Sequence, residues 1–550
     1  MTRIFGRGLP ALLAVGVTLG SVACTDLTET PYTEITEANF NPTASDLAAL
    51  MAPAYTPLRT VWMGWYGNLD FQEETADAFI TPVRPNGWYD GGTYIRLHEH
   101  RWDAGQGQPS SLWGRAFSGI NSANRVIYQI ESGIVPVDAE DQTPLLAELK
   151  ALRAYYYYLL LDAFANVPIV TDFTSEEVPQ QSDRQAAYDF VVAELTAAIP
   201  NLSEESGTSV YGRVNRWAAI GILARVYLNA EVYVGAPAYV QVITLTQQII
   251  DSGLYDLESD YRAPFARENH TSGELIWAVP YDAINAGGSS FHMKTLKPEL
   301  RFVFGMQAQP WGGSASNPQF IDTYDVDDTR FKGTPSEQGR GGTWLVGPQF
   351  TSDGEFGYDF VQHVPHINAP ADLRGFQYGF PVWKYEIYAG MQGASDVDYP
   401  IIRYSEVLMM RAEAMLRTGN ADGAAELVTQ VRQRAFADTD AAKATVTGAE
   451  LMQGSVYNYG WYDTDGVVKT GPGGPAVTNG GADIQYGRFL DELGWEFAVE
   501  GHRRRDLIRF GVFTTKTWYN HEPNGDYRTI FAIPQFAMDT NSNLTQNPGY

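Results

Sequence analysis

The most regular feature of the chain is a helical spacing of apolar residues, one every three or four positions, in several long segments. The clearest is 399–420, YPIIRYSEVLMMRAEAMLRTGN, which predicts one buried helix that ends at Gly419. A second apolar stripe begins at Ala424, so the unit is a helix, a short turn and another helix, about the size of a tetratricopeptide repeat. Because such a pair cannot bury both of its faces alone, the pattern predicts neighbouring pairs of the same kind.

The same spacing predicts a series of further helices, at about 45–55, 112–131, 145–164, 186–199, 212–234, 239–250 and 483–509. Ser45 is the predicted N-cap of the first, and Pro53 is expected to kink or end it. Across 256–397 the helical period is lost, and the segment is rich in glycine, proline and aromatic residues. Long excursions of this kind usually carry function or an interface. We therefore predict a mainly α fold, a tetratricopeptide-like helix-pair scaffold with an irregular, loop-rich subdomain.

The N-terminus has the pattern of a secretory signal. Arg3 and Arg7 precede an apolar run at 9–23 that is too short for a membrane-spanning helix, and Cys24 follows directly. Cys24 is the only cysteine of the chain, so no intramolecular disulfide can form. Its position predicts cleavage before it and attachment of lipid to the thiol, as in bacterial lipoproteins. The alternative is an incidental cysteine in a signal segment.

Charge and composition narrow the possible partners. The formal net charge of −27 argues against nucleic acid, because binding to its phosphates needs clustered Lys and Arg. No apolar run of about 18 residues occurs after the signal, so we predict no membrane-spanning helix there. Aromatic residues make up 13% of the chain, with 32 Tyr and 13 Trp, and this excess predicts aromatic side chains at surfaces as well as in the core.

The chain closes with FLDELGWEFAVEGHRRRDLIRFG at 489–511 and IPQFAMDTNSNLTQNPGY at 533–550. Together these segments resemble the C-terminal signature of the SusD/RagB family, surface lipoproteins of nutrient-uptake systems, most often for glycans. Three earlier segments, at 147–170, 211–231 and 399–420, are each similar to a block of the same family. The resemblance thus covers nearly the whole chain after the signal. It implies a SusD-like fold of helix pairs with an irregular subdomain that carries the ligand surface.

The resemblance also implies a function and a location. It implies a non-catalytic glycan-binding lipoprotein on the surface of the outer membrane, anchored through Cys24, which captures oligo- or polysaccharide and delivers it to a SusC-like TonB-dependent transporter. We predict no cofactor. The alternative is a helical-repeat scaffold or peptide-binding lipoprotein of the same complex, without a glycan site. The predicted division of the chain is a signal peptide at 1–23, a tether at 24–44, an N-terminal helical part at 45–255, an irregular ligand-binding part at 256–397 and a C-terminal part at 398–550.

A glycan site without catalysis needs exposed aromatic platforms for the C–H faces of sugar rings, with polar side chains at their rims. Trp88, Tyr89 and Asp90 fit this demand because NGWYDGG places them among turn signals. Trp311 and Asn317, in PWGGSASNPQF, fit it within the irregular part. These five residues are the predicted ligand contacts. Aromatic residues at this density are often core, so four others are weaker candidates: Trp65, Tyr66, Tyr281 and Phe291.

Two other groups of side chains point to different chemistry. Asp325, Asp327 and Asp328 could support glycoside hydrolysis or bind a cation, but spacing in sequence cannot establish the carboxylate separation of about 5 Å that a retaining hydrolase needs. No complete EF-hand loop occurs. His98 and His100 would face one side of a strand, without an evident third zinc ligand. We therefore predict no catalytic residues and no metal site.

A basic run, HRRR at 502–505, lies in the last predicted helix. Glu492, Glu496 and Glu500 precede it, so ion pairs along the helix explain it better than an anion-binding site. Arg504 and its neighbour stand where the family commonly has aromatic residues.

Overall fold

The computed structural model describes residues 42–334, 337, 339–362, 367, 375–460 and 480–550. Its helices are α1 (Ala44–Val61), α2 (Asn68–Glu74), α3 (Thr93–His98), α4 (Gly107–Glu131), α5 (Ala139–Phe164), α6 (Arg184–Ala198), α7 (Arg216–Leu228), α8 (Ala230–Val234), α9 (Tyr239–Ser252), α10 (Phe291–Thr295), α11 (Leu300–Val303), α12 (Pro318–Ile321), α13 (Thr329–Lys332), α14 (Tyr404–Arg417), α15 (Ala421–Phe436), α16 (Gly448–Leu451), α17 (Gly487–Phe497), α18 (Arg503–Arg509) and α19 (Gln535–Thr540). Its strands are β1 (Phe79–Ile80), β2 (Val167–Pro168), β3 (Gln181–Ser182), β4 (Leu275–Val279), β5 (Ala315–Ser316), β6 (Gly347–Phe350), β7 (Phe356–Phe360) and β8 (Tyr399–Arg403). The predicted signal peptide and Cys24 lie outside the described residues.

Long helices that pack on their neighbours form the scaffold, which confirms the mainly α fold. Helix α1 packs on α4, α4 on α5 and α5 on α6, while α7 packs on α9, α9 on α14 and α14 on α15. Helix α5 is enclosed on all sides at its C-terminal end, because the four consecutive tyrosines 155–158 are each fully buried although they point in different directions. None of the described helices is both long and apolar enough to cross a membrane.

The segment 399–420 differs from its prediction as a single helix. Its first five residues form strand β8, and helix α14 begins only at Tyr404. Pro400 has no N–H for a helix, and the β-branched Ile401 and Ile402 suit a strand. Strand β8 pairs antiparallel with β4, with Tyr399 opposite Val279. The apolar stripe was therefore real, but its first residues are buried in a two-stranded sheet rather than on a helix face.

The first helix is longer than predicted. Helix α1 begins after Thr43, not Ser45, because Thr43 and Asp46 form a capping box. It continues to Val61 through Pro53, where the prediction placed a kink or an end, and also through Pro57.

The irregular part is joined to the rest of the fold by strand pairing and not by a flexible linker. Strand β5 pairs with β1, which belongs to the N-terminal part, and β4 pairs with β8, which belongs to the C-terminal part. The predicted boundaries at 255 and 397 thus separate regions of different sequence character, and the division into parts stays a prediction.

The last predicted helix, 483–509, is broken in two. Between α17 and α18, Val499 and Gly501 have φ values of +64° and +74°, in the left-handed region that an α-helix excludes. Gly501 N donates a hydrogen bond to the buried Glu73 carboxylate (2.6 Å), and Lys384 Nζ donates to the carbonyls of Glu496 and Ala498. The backbone groups that the break removes from a helix are therefore bonded to buried side chains.

This break also changes the partners of the basic run. Arg503 pairs with Asp77 (2.7 Å) and Arg504 with Asp162 (3.3 Å), both in the N-terminal part, so the predicted ion pairs along one helix are wrong. The three glutamates instead enter a buried ionic network, here called the charged core, which consists of Glu274, Arg330, Lys384, Arg403, Arg432, Arg434, Glu492, Glu496 and Glu500.

Candidate functional site

Three tryptophans line one open cleft at the edge of the irregular part. The cleft has a volume of about 430 Å³, and we call it the tryptophan cleft. It is lined by Trp65, Gly87, Trp88, Asp90, Pro298, Gln309, Pro310 and Trp311. The three indoles are half-buried, and the ring centres of Trp65 and Trp311 lie 5.2 Å apart with an interplanar angle of 63°. Each indole can thus pack on its neighbour and still present surface to a ligand.

A hydrogen bond joins two walls of the cleft that are far apart in sequence. Trp88 Nε1 donates to the carbonyl oxygen of Trp311 at 2.7 Å. A Cβ on Gly313 would lie 2.7 Å from the Trp88 ring, so only glycine allows the backbone to approach the indole this closely. Trp88 therefore has its N–H occupied and its ring position fixed by the segment that carries Trp311.

The loop that presents Trp88 and Asp90 is a tight turn. Asp90, Gly91 and Gly92 have φ values of +43°, +61° and +76°, a left-handed run that aspartate and glycine tolerate better than most residues. Arg96 Nη1 donates a hydrogen bond to the Gly91 carbonyl (2.8 Å), and this bond stabilises the turn. The turn signals in the sequence thus place Asp90 at the rim of the cleft.

A buried cluster of three charges lies beneath the cleft. Lys294, on α10, forms ion pairs with Asp70 and Glu74 on α2, and none of the three side chains is exposed. Burial opposes the charge on Lys294, but the two carboxylates more than offset this effect and raise the pKa of its ammonium group. Burial also raises the pKa of Asp70, although Lys294 acts in the opposite direction.

This cluster is bonded to the segments that carry Trp65 and Trp311. Asp70 accepts a hydrogen bond from the backbone N–H of Tyr66 (3.1 Å), next to Trp65. The carbonyl of Lys294 accepts from Gly313 N (2.7 Å), and that of the preceding Met293 accepts from Trp311 N (2.7 Å). Lys294 thus links the two segments whose tryptophans contact each other.

The structure brings three of the five predicted contacts together. Trp88, Asp90 and Trp311 line the tryptophan cleft. Tyr89 is 55% exposed on the same turn, with its hydroxyl beside Gly92, and does not line the cleft.

Asn317 is placed elsewhere. It is fully buried, and its side chain caps α12 by accepting from Gln319 N (3.0 Å) and donates to Tyr457 Oη (3.3 Å). The prediction that Asn317 contacts ligand therefore finds no support in the geometry, because its polar atoms are already used inside the fold.

Two further residues line the cleft, of which Trp65 was predicted only as a weak candidate and Gln309 was not predicted. Trp65 is a full member of the cleft, and Gln309 supplies an amide at its edge. The signal was local in both cases, since Gln309 lies two positions before Trp311 and Trp65 lies in the glycine-punctuated WMGWYGN. Two other weak candidates, Tyr281 and Phe291, are core residues with 6% and 4% exposure.

The acidic triplet of the irregular part has structural partners. Asp325 and Asp327 both accept from Lys443 Nζ, at 2.7 and 2.6 Å, and Asp328 caps α13 while pairing with Arg330. Each carboxylate of the triplet thus has an ion-pair or capping partner within the fold.

The two histidines do not lie on a strand. His98 ends α3, and His100 follows with a φ of +49°. His100 Nε2 donates to the Thr75 carbonyl (2.8 Å), and burial lowers the pKa of this imidazole to about 3, so it is neutral. Within the described ranges, no three His, Cys, Asp or Glu side chains are grouped so that they could hold a metal ion.

Comparison with family models identifies the family to which the chain belongs. The model described as the SusD family matches residues 273–550, just over half of the chain, and a second model, described as "Starch-binding associating with outer membrane", matches residues 58–228. The chain belongs to the SusD family. Both matches include a wall of the tryptophan cleft, Trp88 in the second and Trp311 in the first.

Two individual members of the SusD family are distant in sequence but match over nearly their whole length. The chain is 24% identical to the starch-binding protein SusD of Bacteroides thetaiotaomicron, over 100% of this chain and 98% of that protein. It is 23% identical to the SusD-like protein P25 of Formosa agariphila, over 95% of this chain and 96% of the relative.

Solved structures share the fold. A SusD superfamily protein from Parabacteroides distasonis superposes with a TM-score of 0.68 at 19% identity, covering 93% of this chain and 100% of its own. Surface glycan-binding protein A from Bacteroides uniformis gives a TM-score of 0.67 at 20% identity, covering 92% and 99%. At this identity the likeness establishes the SusD-like fold and not the ligand.

Proposed function

We propose that this protein is a non-catalytic glycan-binding lipoprotein that captures oligo- or polysaccharide in the tryptophan cleft. The single observation that carries the proposal is the convergence of three half-buried tryptophans, from segments more than 200 residues apart, on one open cleft. Sugar rings stack their C–H faces on indole, and their hydroxyls need polar groups at the edge. Asp90 and Gln309 supply such groups. The names of the starch-binding relative and of a structural neighbour described as laminarin-binding support a glycan as the ligand class.

The binding mode follows from the chemistry of the cleft. An open cleft can accept the internal segment of a long chain as well as its end, which suits capture of a polymer. Affinity would come from stacking plus hydrogen bonds from hydroxyl groups, with each indole contributing about 1–3 kcal/mol. No chemical step on the sugar is proposed, since the acidic triplet is engaged by Lys443 and Arg330.

We further propose that Cys24 anchors the protein to the outer membrane, with the protein on the outer surface of the cell. The protein would then pass the glycan to a SusC-like TonB-dependent transporter. A description of association with the outer membrane in one matching family model supports the location. Affinity purification of the tagged full-length protein from outer membranes, followed by mass spectrometry, tests the partner. We expect a TonB-dependent transporter in stoichiometric amount, and its absence would remove the delivery step.

Affinity electrophoresis against a panel of soluble polysaccharides tests the glycan proposal, with each mixture assayed for new reducing ends. We expect at least one polysaccharide to retard the protein without release of reducing ends. Release of reducing ends would indicate a hydrolase. No retardation across the panel would favour a helical-repeat scaffold or a peptide ligand.

A further inference from the structure

A ligand in the tryptophan cleft can reach a negative side chain, while the described part of the lining contains no positive one. Asp90 is exposed at the rim, and it is the only charged side chain among the described lining residues. No other described residue donates a hydrogen bond to the Asp90 carboxylate. Both of its oxygens can therefore accept hydrogen bonds from a ligand. An ionised carboxylate accepts hydrogen bonds from hydroxyl groups and donates none.

Two basic groups on the segments that form the cleft, Arg84 and Lys297, are buried in the fold. Arg84 is 3% exposed and donates to the carbonyls of Gly313 (3.2 Å), Gly375 (2.7 Å) and Tyr378 (2.7 Å). Lys297 is fully buried and donates to the Ser314 carbonyl (3.1 Å).

Two further arginines on these segments, Arg96 and Arg301, lie outside the cleft lining. Arg96 is held by Gln106 Oε1 (3.2 Å) and the Gly91 carbonyl (2.8 Å). The guanidinium of Arg301 lies 5.8 Å from the ring centre of Phe302, a residue outside the cleft lining.

Burial of Arg84 and Lys297 keeps both groups away from a ligand in the cleft, whose lining includes neither of them. It lowers the pKa of Arg84 to about 10 and that of Lys297 well below its usual value. Recognition of sulfate or carboxylate groups normally relies on exposed Arg or Lys, often as bidentate pairs. Among the described residues, the walls of the cleft offer no such donor.

We infer that the tryptophan cleft selects uncharged glycans and that Asp90 sets this selectivity, accepting hydrogen bonds from sugar hydroxyls and repelling sulfated or uronate-containing chains. The inference rests on the proposed glycan function and adds the chemical class of its ligand. A like charge at about 4–6 Å in partly solvated surroundings is expected to weaken binding by about 5- to 150-fold, which corresponds to roughly 1–3 kcal/mol.

Two derivatives of the same polymer, one neutral and one anionic, separate the effect of charge on affinity from the effect of substituent size. The probes are starch, cellulose and galactomannan, each as the hydroxyethyl derivative, which is neutral, and as the carboxymethyl derivative, which is anionic, at equal degree of substitution. Affinity of the purified full-length protein is measured for each member of a pair. On the polymer that binds, we expect the hydroxyethyl form to bind at least about tenfold more tightly than the carboxymethyl form.

The variant Asp90→Asn tests the residue itself. Asparagine tolerates the left-handed backbone of position 90 and keeps the side-chain volume, so the turn is expected to persist. We expect the preference for the neutral form to fall severalfold, and high salt to reduce the preference of the wild type because it screens the rim charge. Circular dichroism and thermal unfolding of both proteins confirm equal folding.

The outcomes are distinct. Equal or tighter binding of the carboxymethyl form by the wild type would overturn the inference and leave the glycan function standing. An unchanged preference in Asp90→Asn would overturn the role of Asp90. Failure of every glycan, neutral or anionic, would overturn the proposed function and this inference with it.

Discussion

The charged core and the tryptophan cleft use opposite kinds of side chain. In the charged core, Glu496 is fully buried and accepts hydrogen bonds from Arg403 (2.8 Å), Arg434 (2.6 Å) and Arg330 (3.3 Å). Burial alone would raise the pKa of Glu496, but these guanidinium groups hold it well below its usual value. In the tryptophan cleft, the walls are half-buried indoles, and the charge at the rim is Asp90.

The difference shows where each kind of interaction is useful. A buried charge is costly without partners, so the charged core is restricted to one geometry and joins segments distant in the chain. A half-buried indole needs no fixed polar partner, and its exposed apolar face is a surface that a ligand can cover. Stability and recognition should therefore respond to different substitutions, and the predictions below test this separation.

Glu496→Gln should have the largest effect on stability. It leaves the buried guanidinium groups of Arg403 and Arg434 without their shared carboxylate, and we expect the free energy of unfolding to fall by about 3–5 kcal/mol. Denaturant unfolding measures this change. The control is Glu268→Gln, at a side chain that is 77% exposed, where we expect a change within about 0.5 kcal/mol. Similar values for the two variants would contradict a structural role for the charged core.

Asp491 is a buried carboxyl with weaker cationic support, and it predicts a pH dependence. It accepts from Ser455 Oγ and from Val456 N (2.8 Å), and burial raises its pKa from 3.8 to about 7. A raised pKa means that the folded state holds the proton more tightly, so the stability from this group is complete below pH 3.8 and is lost as the pH rises through 7.

Asp491→Asn removes this titration. We expect the variant to gain up to about 4 kcal/mol relative to the wild type between pH 4 and pH 7, from a shift of about three units at 1.36 kcal/mol each. Unfolding of both proteins across this range measures the difference, which cancels the contributions of other titrating groups. A constant difference would contradict the assignment.

Lys294→Met tests the link between the two regions, because Lys294 is charged and buried yet lies under the cleft. Methionine keeps the backbone carbonyl that binds Gly313 but loses the ion pairs that hold α10 against α2. We therefore expect a loss of about 2–3 kcal/mol in the free energy of unfolding and a loss of glycan affinity of about tenfold. A shift in tryptophan fluorescence should accompany the loss of affinity. Lys150→Met, at a lysine that is 37% exposed, is the control. Lower stability with unchanged affinity would show that Lys294 does not position the tryptophans.

The sequence predicts those features of the site that depend on local chemistry. Turn residues at Gly87 and Gly91 put Trp88 and Asp90 on an exposed loop, and Pro310 marks Trp311 in the same way. The helix pairs were predictable for a similar reason, because apolar periodicity is a local property of the chain.

Features that depend on long-range partners were not predictable. The strand Tyr399–Arg403 exists because β4 is available to pair with it, and the break after α17 exists because buried partners meet its carbonyl and N–H groups. Asn317 has the residue type of a ligand contact, but Gln319 and Tyr457 use its polar atoms. Periodicity and turn signals contain no information about such partners.

Glycan affinity of Trp311→Ala is the most direct measurement of the central claim. The side chain of Trp311 lines the cleft, while Trp88 is bonded to its backbone carbonyl, so truncation removes one platform and leaves the other held. The matched control is Phe302→Ala, an aromatic residue that is 78% exposed and outside the cleft lining. We predict a loss of 1–3 kcal/mol in Trp311→Ala, about 5- to 150-fold in Kd, and no loss in Phe302→Ala. Unchanged affinity in Trp311→Ala, or an equal loss in both variants, would contradict the assignment of the tryptophan cleft as the binding site.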